Sequence, residues 1–422
     1  MGMKQTEVGM IPEEWTVQSF SDTFRILNNN TFSRAELNYV SGRFRNIHYG
    51  DVLILFPEVL DCTRNDVPYI NDEARISDSA QALQDGDIVM ADTAEDETVG
   101  KVTEVMNTSE KPVMSGLHTI PCRVKAGEFA PKWLGYYMNS HLYHDQLLPY
   151  IHGTKVSSVS KGSLGGTAII VPSTEEQKKI VKALSDIDTL IVDLQKLIRK
   201  KKDIRQGTMQ MLVTGKKRLN GFDERWRIAR LADISEVLNG DRSINYPSGK
   251  DFVEYGIPFI NAGNLNNGAI DLSDADYISN EKYRSLGGAK IQQNDILFCL
   301  RGSLGKCALS DFNEAAPASS LCVIRAKTEI VPRFLFLIID SSLTTTQIEN
   351  LNAGSSQPNL SAKSLKGFTY NIPVSLKEQE AISEIICDMD FDIHKLEDKM
   401  DKYKKIKQGM MEELLTGKVR LI

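Results

Sequence analysis

The chain is short of the features that mark several protein classes. Its six cysteines (Cys62, Cys122, Cys299, Cys307, Cys322 and Cys387) stand far apart with no Cys-x-x-Cys pair among 422 residues. This argues for reduced thiols, and against a disulfide scaffold or a zinc ribbon. No apolar run nears the roughly 20 residues that span a bilayer; the longest is Phe334 to Ile339, so no membrane association is expected. The first residues, MGMKQTEVGMIPEEW, have no basic start leading into an apolar core. No secretory signal is read there, and a cytoplasmic location is expected.

Catalytic strings are also missing. The nearest approach to a P-loop, GSLGKC at Gly302 to Cys307, has too short a glycine spacing and ends in cysteine. No GxGxxG follows a strand-like run, and there is no Asn/Asp-Pro-Pro-aromatic string of the kind used in amino-methyl transfer. His141, His144 and His152 form the best metal candidate, but without a carboxylate-rich partner motif they read as surface histidines. The chain is therefore expected to have no catalytic residue, no metal site and no cofactor of its own.

Positive charge is scarce and unevenly spread. The net charge is −6. Residues 1–172 carry 14 basic and 22 acidic side chains, residues 173–220 carry 12 and 6, residues 221–373 carry 15 and 17, and residues 374–422 carry 9 and 11. Only the second segment is basic.

A long internal repeat organises the chain. Pro12 to Asn29 matches Asp223 to Gly240, with Trp15 over Trp226 and Leu27-Asn28 over Leu238-Asn239. Gly86 to Met90 resembles Asn294 to Phe298. Val171 to Asp188 sits over Ile372 to Asp390, and Lys201 to Leu219 over Tyr403 to Leu421. A period near 200 residues is about the size of a domain plus a helix, and indicates tandem duplication. Short runs at Asp51–Phe56, Asp87–Met90, Ala168–Val171, Asp295–Phe298 and Leu321–Ile324 read as strands. Pro131–His144 and Pro332–Asp340 read as helical, so each half should be an α+β domain.

Each half ends in a heptad pattern. The first places Ile180, Leu184, Ile187, Ile191, Leu194 and Ile198 on one seam; the second places Ile382, Ile386, Met389, Ile393, Leu396 and Met400 there. Thr174 and Ser375 are candidate N-caps, and Gly215 and Gly417 candidate stops. The seam turns polar at matching positions, Arg205 and Lys407. Two matching helices of about 40 residues, roughly 60 Å each, favour mutual pairing over packing on their own domains. The expected architecture is two similar globular α+β domains, residues 1–172 and 221–373, separated by two long antiparallel coiled-coil spacer helices, residues 173–220 and 374–422. The arrangement is a pseudo-two-fold tandem duplication.

Several loops combine glycine with side chains that can reach phosphates or base edges. Arginine can pair with guanine and Asn or Gln with adenine, while Ser and Lys hold phosphates. The candidates are Arg43 and Arg45; Lys155, Ser157, Ser158 and Lys161; Asn261 and Asn264; Arg301, Ser303 and Lys306; and Gln357, Asn359 and Lys363. Any one loop alone reads as a solvated turn; recurrence in both halves raises the functional reading. A coiled-coil scaffold or adaptor would explain the helices and the acidic surface, but not these loops.

With IPEEW at Ile11 to Trp15, LGGTAIIVPSTEEQKKI and LKGFTYNIPVSLKEQEAI at the loop-to-helix passages, and RQGTMQMLVTGKKRL and KQGMMEELLTGKVRL at the helix ends, the chain resembles the specificity subunit of a type I restriction–modification system. The resemblance covers the whole chain. It implies two target-recognition domains, each reading one half of a bipartite double-stranded DNA site. It also implies spacer helices that set the half-site distance and bind two methyltransferase subunits. S-adenosylmethionine, ATP and Mg would then serve the methyltransferase and the restriction/translocase subunits, with no active site in this chain.

Overall fold

The computed structural model describes residues 2–153, 155–352 and 360–421, which form two compact units. One comprises Met1–Gln195 with Lys399–Ile422, the other Lys196–Asp398. Each unit therefore holds one globular domain and parts of both long helices, which run Thr174–Val213 and Leu376–Leu414.

In the first unit a sheet runs in the order Phe24–Ile26, Thr119–Val124, Ile88–Ala91, Val102–Met106, Val59–Asp61. Its central strand, Ile88–Ala91, and the neighbouring Val102–Met106 are almost wholly buried, as expected where both faces are covered. In the second unit the corresponding order is Ser235–Asn239, Leu321–Ala326, Ile296–Cys299, Cys307–Leu309. The match extends to the joints. Asp87 takes a bidentate pair from Arg123 at 2.6 and 2.8 Å, and Asp295 takes one from Arg325 at 2.7 and 2.8 Å. These pairs fix which residue of one domain corresponds to which of the other.

Asp51–Phe56 departs from the strand reading: Tyr49–Ile54 is a helix. His48 caps it, Nδ1 accepting from the Gly50 amide, and the buried Asp51 in its first turn pairs with Arg34. Val52 is buried while Ile54 and Leu55 face solvent, so the apolar run satisfied both periods and the cap decided between them. Pro131–His144 likewise forms two short helices, Trp133–Tyr137 and His141–His144.

The long helices begin and end for local reasons. Ser173, one residue before Thr174, caps the first, its Oγ accepting from the Glu176 amide at 3.3 Å. Both end in left-handed glycines, Gly215 (φ 68°) and Gly417 (φ 72°), the conformation in which glycine escapes the Cβ penalty. In the first unit Ile180 and Leu184 join the domain core together with Leu414 and Leu415. In the second, Ile382 and Ile386 do so with Met209, Leu212 and Val213. Ile187, Ile191, Leu194, Ile198 and Ile393 are buried, whereas Met389, Leu396 and Met400 are half-buried.

Ion pairs at the polar seam positions show that the helices run antiparallel within each unit. In the first, Glu176 meets Arg420 and Asp188 meets Lys407; in the second, Glu378 meets Arg218 and Asp390 meets Arg205. Burial works against the Lys407 ammonium, but the Glu58 and Asp188 carboxylates overcome it and hold its pKa above the usual lysine value. Among the described residues no helix is long and apolar enough to cross a membrane.

Candidate nucleic-acid interface

The framework that positions the loops is duplicated around a tryptophan and a glutamine. Trp15 Nε1 donates to Glu176 at 2.9 Å, and Trp226 Nε1 to Glu378 at 3.2 Å. Gln177 accepts from the Ala130 amide and donates to the Pro172 carbonyl, while Gln379 accepts from the Val331 amide and donates to the Pro373 carbonyl. Both glutamines are fully buried, where an unmade hydrogen bond would cost about 1–3 kcal/mol. Each helix start is thus bonded into its own domain.

On this framework the candidate residues fall into three groups. The first stays at the surface. Lys155, Ser158, Lys161, Arg301, Ser303 and Lys363 are exposed, with Ser157 half-buried; Lys363 lies on the short helix Ala362–Lys366, capped by Ser361.

A second group is used by the fold. Asn261 Oδ1 accepts from the Gly263 amide at 2.7 Å, and the buried Asn264 Oδ1 accepts from the Asn261 amide at 2.9 Å, closing a tight turn. Lys306 Nζ donates to the Ala262 carbonyl at 3.0 Å, tying that turn to the Leu300–Lys306 loop. Arg45 donates to the Cys62 carbonyl and lies 5.6 Å from the Tyr69 ring centroid. Lys111 Nζ sits 4.4 Å from the same ring. Hydrogen bonds from Arg45 and Lys111 lower the Tyr69 pKa. Arg43 is exposed and lies over Phe44 at 5.2 Å.

Gln357 and Asn359 form the third group and lie outside the described residues. Also among the described residues, no cluster of three or more His, Cys, Asp or Glu is placed to hold a metal ion. His144 Nε2 instead contacts the Val99 carbonyl at 2.9 Å.

The surface loops meet at one junction in each domain. In the first domain the Asp92 amide donates to the His118 carbonyl at 3.1 Å and the Val159 amide to the Asp92 carbonyl at 2.9 Å. Thr93–Ala94 pairs with Ser157–Ser158. In the second domain the Leu300 amide donates to the Ser320 carbonyl at 2.9 Å and the Leu360 amide to the Leu300 carbonyl at 3.2 Å. Strand register carries Thr93 onto Arg301 and His118 onto Ser320. Three segments therefore converge in the same way, with different side chains at the meeting point.

Asp92, Thr93 and His118 were not among the sequence candidates. Extending the match of Gly86–Met90 with Asn294–Phe298 by three residues sets Thr93 against Arg301, and that was the available signal. His118 had none, since it is brought in by strand pairing alone.

Comparison with known proteins agrees with this layout. A family described as the type I restriction modification DNA specificity domain matches residues 12–205 and 223–404. A Methanocaldococcus jannaschii protein named as specificity subunit of the type I restriction enzyme MjaX is 25% identical over 431 residues, covering 99% of this chain and 96% of that protein. The EcoBI specificity subunit of Escherichia coli is 25% identical over 248 residues, covering 54% of this chain and 52% of its own. The fold is shared with the solved S subunit of a type I restriction–modification system from M. genitalium (TM-score 0.54, 14% identity, 96% of each chain). It is also shared with a chain from a structure concerned with complex assembly and conformational transition of the type I system (TM-score 0.59, 15% identity, 97% and 99% covered). These likenesses favour DNA sequence recognition over a protein-binding scaffold. The chain belongs to the type I restriction–modification DNA specificity family, whose members recognise DNA sequence without catalysing a reaction themselves.

Proposed function

We propose that each globular domain, residues 1–172 and 221–373, reads one half of a bipartite duplex target. The helical segments 173–220 and 374–422 would set the gap and hold two methyltransferase subunits. Adenine methylation with S-adenosylmethionine, and ATP- and Mg-dependent translocation and cleavage, would belong to those and to further subunits. The observation that carries this reading is the duplicated joint. The Trp–Glu–Arg and Gln contacts recur in both units, while the loop junction they support differs in chemistry. One duplex carrying two unlike half-sites calls for two unlike readers on a common frame, whereas a symmetric dimer would read a palindrome.

The exposed Lys155, Ser158, Lys161, Arg301, Ser303 and Lys363 are the proposed DNA contacts. The acidic first domain opposes tight phosphate binding by the chain alone, since each neutralised phosphate needs a cation. A methyltransferase partner would supply the remaining positive surface. The test replaces residues 1–172 with the matching region of a relative and maps methylated sites in cells that also express the methyltransferase. One half-site should change and the other persist; alteration of both would refute the assignment of one domain to one half-site.

A further inference from the structure

We propose that His118 reads a base edge in the first half-site, held by Asp92 in the form that accepts a hydrogen bond, and that Arg301 is its donor counterpart in the second. The proposal rests on the DNA-recognition reading and adds residues and base chemistry to it.

Geometry at the junction supports this. His118 lies at φ 53°, a left-handed backbone that costs a bulky side chain and gathers at functional positions. Its side chain is 47% exposed, so the ring is available at the surface. Nδ1 is 3.3 Å from Asp92 Oδ1 and 3.4 Å from Thr93 Oγ1, and Thr93 Oγ1 donates to that same carboxylate oxygen at 2.8 Å. The Tyr49 ring meets the imidazole edge-on with centroids 5.4 Å apart. Both Asp92 and Thr93 can accept from Nδ1, and in the form proposed Nδ1 donates to them while Nε2 presents a lone pair. Among the described residues Nε2 makes no hydrogen bond, and is free to meet a ligand.

The base class follows from the groove code. Only adenine and cytosine present an exocyclic amino donor in the major groove, whereas the guanine and thymine edges offer acceptors. With Nε2 accepting, His118 selects adenine or cytosine. At the equivalent junction Asp92 and Thr93 are replaced by Leu300 and Arg301, and His118 by Ser320. With no carboxylate there, the exposed Arg301 offers only donors, suited to guanine O6 and N7.

The experiment takes the full chain assembled with its methyltransferase partner and selects bound duplexes from a randomised pool. His118→Gly removes the ring and suits the left-handed backbone, and a melting curve confirms that the variant folds. One position of one half-site, where the parent prefers adenine or cytosine, should lose about tenfold in preference, with the other half-site unchanged. Asp92→Leu, the residue the second domain carries at that position, removes the carboxylate opposite Nδ1, so the preference for adenine or cytosine there should relax. A purely structural role for Asp92 would weaken binding without relaxing that one position. An unchanged motif, or uniform weakening across all sequences with His118→Gly, would overturn the proposal. Retention of the adenine or cytosine preference in Asp92→Leu would overturn the role given to Asp92. A parent complex that selected no motif at all would overturn both this proposal and the reading beneath it.

Discussion

The two units share their joints and differ in what those joints carry. Both have a tryptophan bonded to a helix glutamate that also binds an arginine from the end of the other long helix. Both bury a glutamine at the helix start and a bidentate Asp–Arg pair in the sheet. Yet Trp15 is fully buried while Trp226 is half-exposed, and the buried Glu104 of the first sheet is replaced in register by Leu309. The loop junctions differ more. Duplication has thus preserved the groups that would leave a buried polar atom unpaired if changed, and has let solvent-facing positions drift, because a surface substitution costs little.

Removing the tryptophans should produce the largest difference. Trp15→Ala deletes a fully buried side chain and one of the hydrogen bonds to Glu176, whose carboxylate is itself nearly inaccessible. A loss of about 3–5 kcal/mol is expected. Trp226→Ala, at a half-exposed site, should cost less than half of that. Chemical denaturation of each variant measures the two losses, and equal values would show that the joints are energetically equivalent despite their burial.

The Glu104 site should give the first unit a pH effect that its counterpart Leu309 cannot give the second. Burial pushes the Glu104 carboxyl up to about 7, against the hydrogen bonds it accepts from the Gly135 and Lys132 amides. Between its unfolded value of 4.5 and about 7, the folded chain holds a proton that the unfolded chain has lost. Stability contributed at this site therefore falls as pH rises through that window, by about 3 kcal/mol, and is level above it. His48 works oppositely: burial and Arg34 lower its pKa, so its contribution rises with pH as the unfolded imidazole deprotonates. Comparing the parent with Glu104→Gln, which cannot ionise, isolates the carboxyl. Hydrogen exchange in Val102–Met106 should slow relative to the parent as pH rises from 5 to 7, after correction for intrinsic rates, with Cys307–Leu309 unaffected. Identical pH slopes in the two proteins would remove Glu104 from the account.

The long-range plan was legible because it is written twice. Matching helices with a 4-3 apolar spacing, left-handed glycines at their ends and a basic residue at the same place in each seam all follow from local rules that the chain repeats. The antiparallel sense needed only Arg205 and Lys407 to find acids, and Asp390 and Asp188 are those acids. Less could be read where tertiary contacts overrule the pattern. Asp51–Phe56 became a helix because His48 caps it and Arg34 reaches Asp51 from a distant turn. Among the candidate contacts, Asn261, Asn264, Lys306 and Arg45 have the right chemistry for DNA, but are occupied by backbone groups. His118 was invisible because nothing near it in sequence announces Asp92, and the strand pairing that joins them spans 26 residues.

The helix stops offer the smallest and sharpest comparison. Gly215 and Gly417 both have positive φ, so an alanine at either site carries the same backbone penalty of about 1 kcal/mol. Their surroundings differ. A Cβ at 215 would touch the Trp226 ring at 3.2 Å, and that partly buried ring is less enclosed than Trp15. At 417 it would collide with the Pro12 ring and meet the edge of Trp15 at 3.0 Å, both within the packed base of the first unit. Gly417→Ala should therefore destabilise by about 1–3 kcal/mol more than Gly215→Ala, the usual range for overpacking a filled core. Urea midpoints of the two single variants give the difference directly. Similar midpoints would mean that Pro12 and Trp15 can shift as freely as Trp226, and that the closer packing of the first joint confers no added rigidity.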